Sequence, residues 1–237
     1  MKLVFVLALF LTTVFVNKGF AQPFKGKAKF SQRSVIKDSL GQVYEDDGWK
    51  MLLVTGMYKL VPENADDPQS AFKVIRLSEK KYKHNIENPP KPRESKSFIT
   101  GKGIGSFIAR DINGNKYKIK ELTGKVVVIN FWFIGCAPCL TEIPELNKVV
   151  EEYKDSSNVV FLAVGLDEKD RIETFLEQKP FLYNIIDNGR YISHKYSITS
   201  YPTNLVLDKN GKVLFHSAGY SAGVVPWIRK SIKKALE

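Results

Sequence analysis

Two cysteines constrain this chain more than any other feature. Cys136 and Cys139 are the only ones in 237 residues, and they stand directly behind the run Val126-Val127-Val128-Ile129-Asn130-Phe131. A continuous β-branched run of that kind suits a central strand buried on both faces. Past the cysteines, Leu140, Ile143, Leu146, Val149 and Val150 recur at three- and four-residue spacing, which predicts a helix over 136–153. Pro144 falls inside it and is expected to kink it by removing one hydrogen bond. The two thiols therefore sit at a strand-to-helix junction. A bridge between residues three apart closes a very small loop and restrains the unfolded chain little, so the spacing points to chemistry rather than scaffolding. At a helix start, unpaired N–H groups and the positive end of the dipole stabilise a thiolate at Cys136. Cys139 follows one turn later on the same face, placed to attack a mixed disulfide formed at Cys136. Pro138 stiffens that turn and lacks an N–H needing a partner. The competing readings are an inert bridge and a zinc site. Zinc takes four ligands, and His84, His194 and His216 have no metal-ligand spacing, so they read as ordinary polar residues. No metal and no cofactor beyond the cysteine pair itself is expected.

The rest of the C-terminal half alternates strands and helices. Residues 159–166 read as a second buried strand, Lys169–Gln178 as a surface helix, 204–207 as a third strand and 212–215 as its partner across the turn Asp208-Lys209-Asn210-Gly211. Val224–Leu236 reads as a closing amphipathic helix. Before them, Asn113-Gly114 between 107–109 and 117–119 marks a hairpin. The order predicts an α/β fold with a mixed sheet and helices on both sides.

The N-terminal half is different. Lys2, the apolar stretch 3–16 and the small residues Gly19 and Ala21 fit a secretory signal peptide over 1–21, cut before Gln22. The apolar run is short for a membrane span, and left uncleaved it would serve as an anchor. Residues 22–97 read as a small β-rich extension, with strands at 51–54 and 72–77, ending in the linker Asn88-Pro89-Pro90-Lys91-Pro92-Arg93. Residues 98–237 form the second domain. The formal charge of +11, from 36 Lys/Arg against 25 Asp/Glu, is scattered among acids. It reads as a solvated surface with weak attraction to anionic lipid, not as a nucleic-acid site.

Leu122-Thr123-Gly124-Lys125 leading into the buried run and Trp132, Cys136-Ala137-Pro138-Cys139, Glu142-Ile143-Pro144, and Tyr201-Pro202-Thr203 with Asp208 and Gly211 together resemble the thioredoxin superfamily, in particular its exported TlpA/ResA-like branch. The resemblance covers 105–237. It implies a thioredoxin fold and a periplasmic thiol–disulfide oxidoreductase that reduces disulfides of exported proteins, apocytochrome c among the known roles, with electrons from a membrane thiol-transfer partner. It further implies that Pro202 is cis and packs beside the cysteines, and that Tyr201 presents backbone to an extended substrate, with Ala137 and Pro138 lining the same contact. Glu142 matches a glutamate near the cysteine pair. It is either a proton relay for Cys139 or a solvated acid in the first helical turns. Two departures stand out. Asn130 replaces the buried aspartate of thioredoxin itself, and Gly135 stands where the family commonly has tryptophan. Trp132 reads as core. Two other readings compete: a thiol peroxidase of the same fold, although Phe133 and Ile134 occupy the stretch where its threonine belongs, and a non-catalytic binding module centred on 22–96.

Overall fold

The computed structural model describes residues 26–31 and 33–237, so the 1–21 segment read as a signal peptide lies outside the described residues. The extension contains β1 (Ile36–Lys37), α1 (Gly48–Val54), β2 (Tyr58–Pro62), β3 (Phe72–Arg76) and α2 (Glu79–Glu87). Its sheet runs β1-β3-β2, with β1 parallel and β2 antiparallel to β3. The strand expected at 51–54 is instead the end of helix α1. Asp46 Oδ1 accepts the Gly48 N–H at 2.8 Å, an Asx turn that leads directly into the helix. Trp49, Leu52 and Leu53, at helical spacing, then pack with Ile36, Phe72 and Val74. A run of four apolar residues is too short to show which period it follows.

The second half continues with β4 (Ile108–Arg110), β5 (Lys116–Lys118), β6 (Val126–Trp132), α3 (Ala137–Glu152), β7 (Val159–Gly165), α4 (Lys169–Gln178), β8 (Asn184–Ile186), α5 (Arg190–Lys195), β9 (Thr203–Leu207), β10 (Val213–Ala218) and α6 (Val224–Leu236). β4 and β5 form the expected hairpin, turning at Gly114 with φ 88°. The main sheet runs β10-β9-β6-β7-β8, with β6, β7 and β8 parallel and β9 antiparallel to both of its neighbours. This is the α/β thioredoxin arrangement that the motifs implied. β8 and α5 escape sequence reading because three and six residues are too few to display a period.

All seven residues of β6 are buried, and their alternation divides the core. Val126, Val128 and Trp132 face α3 and α6, with Ile143, Leu146 and Ile228. Val127, Ile129 and Phe131 face the other layer, with Phe98, Phe107, Ile192 and Tyr196. Trp132 packs its ring 5.5 Å from those of Phe175 and Phe181, as a core residue does. Helix α3 runs through Pro144 without a break.

The proline-rich segment is fastened to the sheet edge. The Ala218 N–H donates to the Arg93 carbonyl at 2.9 Å, and the Arg93 side chain returns two bonds to the Ala218 carbonyl. The Trp227 indole donates to the Pro89 carbonyl at 3.0 Å. His216, 2% exposed, accepts the Ser95 N–H on Nδ1 at 3.1 Å, and its burial lowers its pKa and favours the neutral, accepting ring. Replacing His216 with alanine leaves a buried N–H unpaired. Urea denaturation at neutral pH is expected to show a loss of about 1–3 kcal/mol for His216→Ala, with Lys96→Ala on the exposed side of the same segment staying within about 0.5 kcal/mol.

Candidate functional site

The site begins where β6 ends. The turn 133–135 is held by hydrogen bonds, since the Ile134 N–H donates to Asp167 Oδ2 at 2.8 Å and the Leu166 N–H donates to the Trp132 carbonyl at 3.1 Å. Asp167 is buried just past β7 and is also paired with Arg171 at 3.2 Å. Sequence reasoning missed it, because an acid after a buried strand carries no signal of which backbone it holds. The turn delivers Cys136 to the N-cap of α3, where its Sγ accepts the Cys139 N–H at 3.2 Å. The two sulfurs are bonded at 2.03 Å, with Cα atoms 5.2 Å apart. Cys136 is 5% exposed and Cys139 1%, so what access exists is to Cys136.

Cys136 borders a cleft of about 710 Å³. One wall is Phe133, Gly135, Ala137, Pro138 and Tyr201. The opposite wall comes from the extension: Asp46, Asp47, Gly48 and Lys50 at the start of α1. The Tyr201 ring meets that of Phe133 edge-on at 5.4 Å. The Tyr201–Pro202 peptide bond is cis, and Pro202 lies buried with its carbonyl accepting the Gly219 N–H at 2.7 Å. Ala137, Pro138 and Tyr201 thus meet Cys136 in one cleft, whereas Pro202, next along the chain, is buried and does not line it. Phe133 and the α1 residues are additions, and no sequence period links residue 46 to residue 136.

Glu142 does not line this cleft. It lies one turn beyond Cys139 and is only 1% exposed, which rules out the solvated-acid reading. Its Oε1 accepts from Asn130 Nδ2 at 2.7 Å and from Asn204 Nδ2 at 3.1 Å, and Asn130 Nδ2 also donates to Asn204 Oδ1 at 2.9 Å. Burial pushes the Glu142 carboxyl up to about 8, and the two amide donors oppose that rise. Asn130 and Asn204 are paired in register across β6 and β9, which is why they present their amides side by side. Asn204 was not singled out in sequence, although a second asparagine inside an apolar strand was a usable signal. A carboxyl near 8 is matched to an ordinary thiol, at about 8.5, so a proton passes between them with little driving force lost. Among the described residues, no group of three or more His, Cys, Asp or Glu is arranged to hold a metal ion.

A model of the AhpC/TSA family matches residues 100–216. Thiol-disulfide oxidoreductase ResA of Bacillus anthracis is 35% identical over 116 residues, 48% of this chain and 66% of that protein. ResA of Bacillus cereus strain ATCC 10987 is 35% identical over 124 residues, covering 52% and 70%. The chain spans about two thirds of the length of these relatives. Among solved structures, a candidate thiol:disulfide interchange protein DsbE from Chlorobium tepidum superposes with a TM-score of 0.54 at 27% identity, covering 59% of this chain and 99% of that one. A candidate protein disulfide isomerase from Bacteroides thetaiotaomicron, at 21% identity and a TM-score of 0.53 over 60% and 94%, shares the fold. With its paired cysteines at the head of α3 and these relatives, the chain belongs to the thioredoxin-like thiol–disulfide oxidoreductases.

Proposed function

We propose that this protein is an exported reductase of protein disulfides, with Cys136 as nucleophile and Cys139 as resolving thiol. The observation that carries the reading is the asymmetry of the bonded pair: Cys136 caps a helix at the edge of a cleft, whereas Cys139 is enclosed one turn from a buried acid. In the reduced protein, the Cys136 thiolate attacks one sulfur of a substrate disulfide. A mixed disulfide forms and one substrate thiolate leaves, taking a proton from solvent. Cys139 then gives its proton to Glu142 in those molecules whose carboxyl is ionised, a fraction that grows as pH rises toward 8, and attacks Cys136 Sγ. The Cys136–Cys139 disulfide forms, and the second substrate thiolate departs and is protonated. The substrate gains two electrons, which the cysteine pair loses, and two protons, one taken from solvent and one that Cys139 passed to Glu142. A membrane thiol-transfer dithiol restores the pair by the reverse exchange.

Several features support this direction and place. The Cys139 N–H aimed at Cys136 Sγ and the helix dipole favour a thiolate there, which makes Cys136 a good nucleophile and a good leaving group. The Ala137-Pro138 dipeptide and the resemblance to the TlpA/ResA-like branch favour reduction. The signal-like segment 1–21 favours an extracytoplasmic location, in the periplasm, with apocytochrome c among the fitting substrates. Tyr201 and Pro202 contribute the substrate-facing strand edge.

Cys139→Ala removes the resolving step. Expressed with its leader, this variant is expected to accumulate mixed disulfides with exported proteins on non-reducing gels, and the double variant lacking Cys136 is expected to show none. Recovery of the adducts only in the cytoplasm would overturn the assigned location. A measured potential at the strongly oxidising end of the known range would overturn the direction.

The acid has its own signature. Glu142→Gln keeps the amide-facing shape but cannot take the Cys139 proton. Stopped-flow measurement of mixed-disulfide resolution is expected to show slowing on the order of 100-fold and loss of the pH step near 8. Stability gives a second readout. The folded carboxyl holds its proton up to about 8, whereas the unfolded one releases it near 4.5. Over that window the folded state binds more protons, so its stability falls as pH rises, by as much as about 5 kcal/mol. Denaturation of the oxidised protein between pH 4.5 and 8.5 is expected to show this slope in the native protein and a flatter one in Glu142→Gln.

A further inference from the structure

The extension is joined to the rest of the molecule more loosely than either half is joined to itself. It has its own apolar cluster, with Ile36, Trp49, Phe72 and Val74 at its centre, and no residue beyond 97 belongs to it. Among the described residues, no hydrogen bond or ion pair joins 26–87 to 98–237. The proline-rich segment 88–97 makes such bonds instead, from Pro89 to Trp227 and from Arg93 and Ser95 to β10. The chain passes from the extension to that fastened segment at Asn88, which caps α2 with φ −128° and ψ 70°, outside the helical range. The end of an element beside a loop is where a hinge turns.

Helix α1 nonetheless lies over the reactive cysteine. Its start walls the cleft that holds Cys136, and its Lys50 and Leu53 border a further depression of about 370 Å³ with Pro138, Tyr201 and Tyr220. Two open spaces between the helix and the domain leave few atoms in contact, and dispersion attraction needs many. A close approach is made at Gly56, which has φ 70°, where an added Cβ would stand 3.0 Å from the Cβ of Ala222. With α1 in place Cys136 is 5% exposed, and its cleft of about 710 Å³ has the size of a small-molecule pocket. A stable protein partner covers about 800 Å² on each side, which such a cleft does not offer. A substrate backbone laid beside Tyr201 has to share its space with Lys50 and Leu53.

We propose that the extension is a hinged lid over Cys136: it turns about Asn88 to admit a protein disulfide, and in the closed position, the one seen here, it admits small disulfides alone. This rests on the disulfide-exchange reading above. The rate on a protein substrate then scales with the fraction of open molecules. A lid closed about nine-tenths of the time holds that rate to about a tenth of its unhindered value. A small disulfide reacts in either position, and the exchange chemistry at Cys136 and Cys139 is the same in both.

The test uses the full-length protein and substitutions on the two sides of the contact. Ala222→Trp, at an exposed position of the 219–222 loop, wedges α1 away from the domain and leaves the extension's own cluster untouched. Gly56→Val acts from the other side and adds strain at the positive φ, and if it unfolds the extension the lid is removed all the same. Both are expected to reduce insulin about tenfold faster than the native protein and hydroxyethyl disulfide at the native rate. A second readout needs no turnover. With Cys139→Ala added, Cys136 is the one thiol in the chain. A maleimide carrying a long polyethylene glycol chain is then expected to react about tenfold faster when Ala222→Trp is present, and N-ethylmaleimide equally with and without it. An insulin rate that stays the same or falls in Ala222→Trp would make α1 a fixed wall or a substrate-holding one and end the proposal, as would an equal rise on both substrates. A native protein that reduces neither substrate would sink the exchange reading, and the maleimide comparison would still decide the lid by itself.

Discussion

Strand β6 is hydrogen-bonded along both edges and covered on both faces, and the chemistry hangs from its C-terminal end. Each large side chain on it contributes roughly 1.5–3 kcal/mol by leaving water. None of the seven can shift without opening a void, because interiors are packed to crystal density. The end of the strand is therefore a fixed point. From it the Phe133 to Gly135 turn, pinned by Asp167, carries Cys136 to the α3 N-cap with little freedom left. The polarity of the helix start then acts on a sulfur whose position the sheet has set.

The same strand carries the one polar group that breaks the apolar rule. Asn130 faces α3, beside Asn204 on β9, and between them they hold Glu142. A buried carboxylate with no partner would be strongly destabilising, and two neutral amides compensate only in part. The carboxyl responds by keeping its proton to about pH 8. An aspartate at 130 would place a second acid against Glu142. The amide instead donates to it, so the departure from thioredoxin and the presence of Glu142 are one arrangement.

The extension adds a layer that the family region lacks. The segment 88–97 is bound along β10 and α6 through Arg93, Ser95 and Pro89, and Gly56 lets α1 close against the 219–222 loop. Those contacts join residues more than a hundred positions apart. Their effect is to turn an open active-site face into a two-walled cleft.

Much of this was legible in the residues, for a physical reason. The buried run before the cysteines, α4 and α6 follow periods that burial and helix geometry impose locally, and the spacing of Cys136 and Cys139 already placed them on one helix face, with Glu142 marked by the family resemblance. Residues 51–54 were misread, and β8 and α5 were missed, because short segments take their conformation from what they pack against. What the chain alone determined was the identity of the reactive pair and the fold that presents it. The tertiary structure decided the rest: that Glu142 is enclosed and shifted, that Asn204 shares it with Asn130, and that α1 faces Cys136. Burial and charge environment are sums over neighbours brought together by strand pairing, and no local pattern in the chain contains those sums.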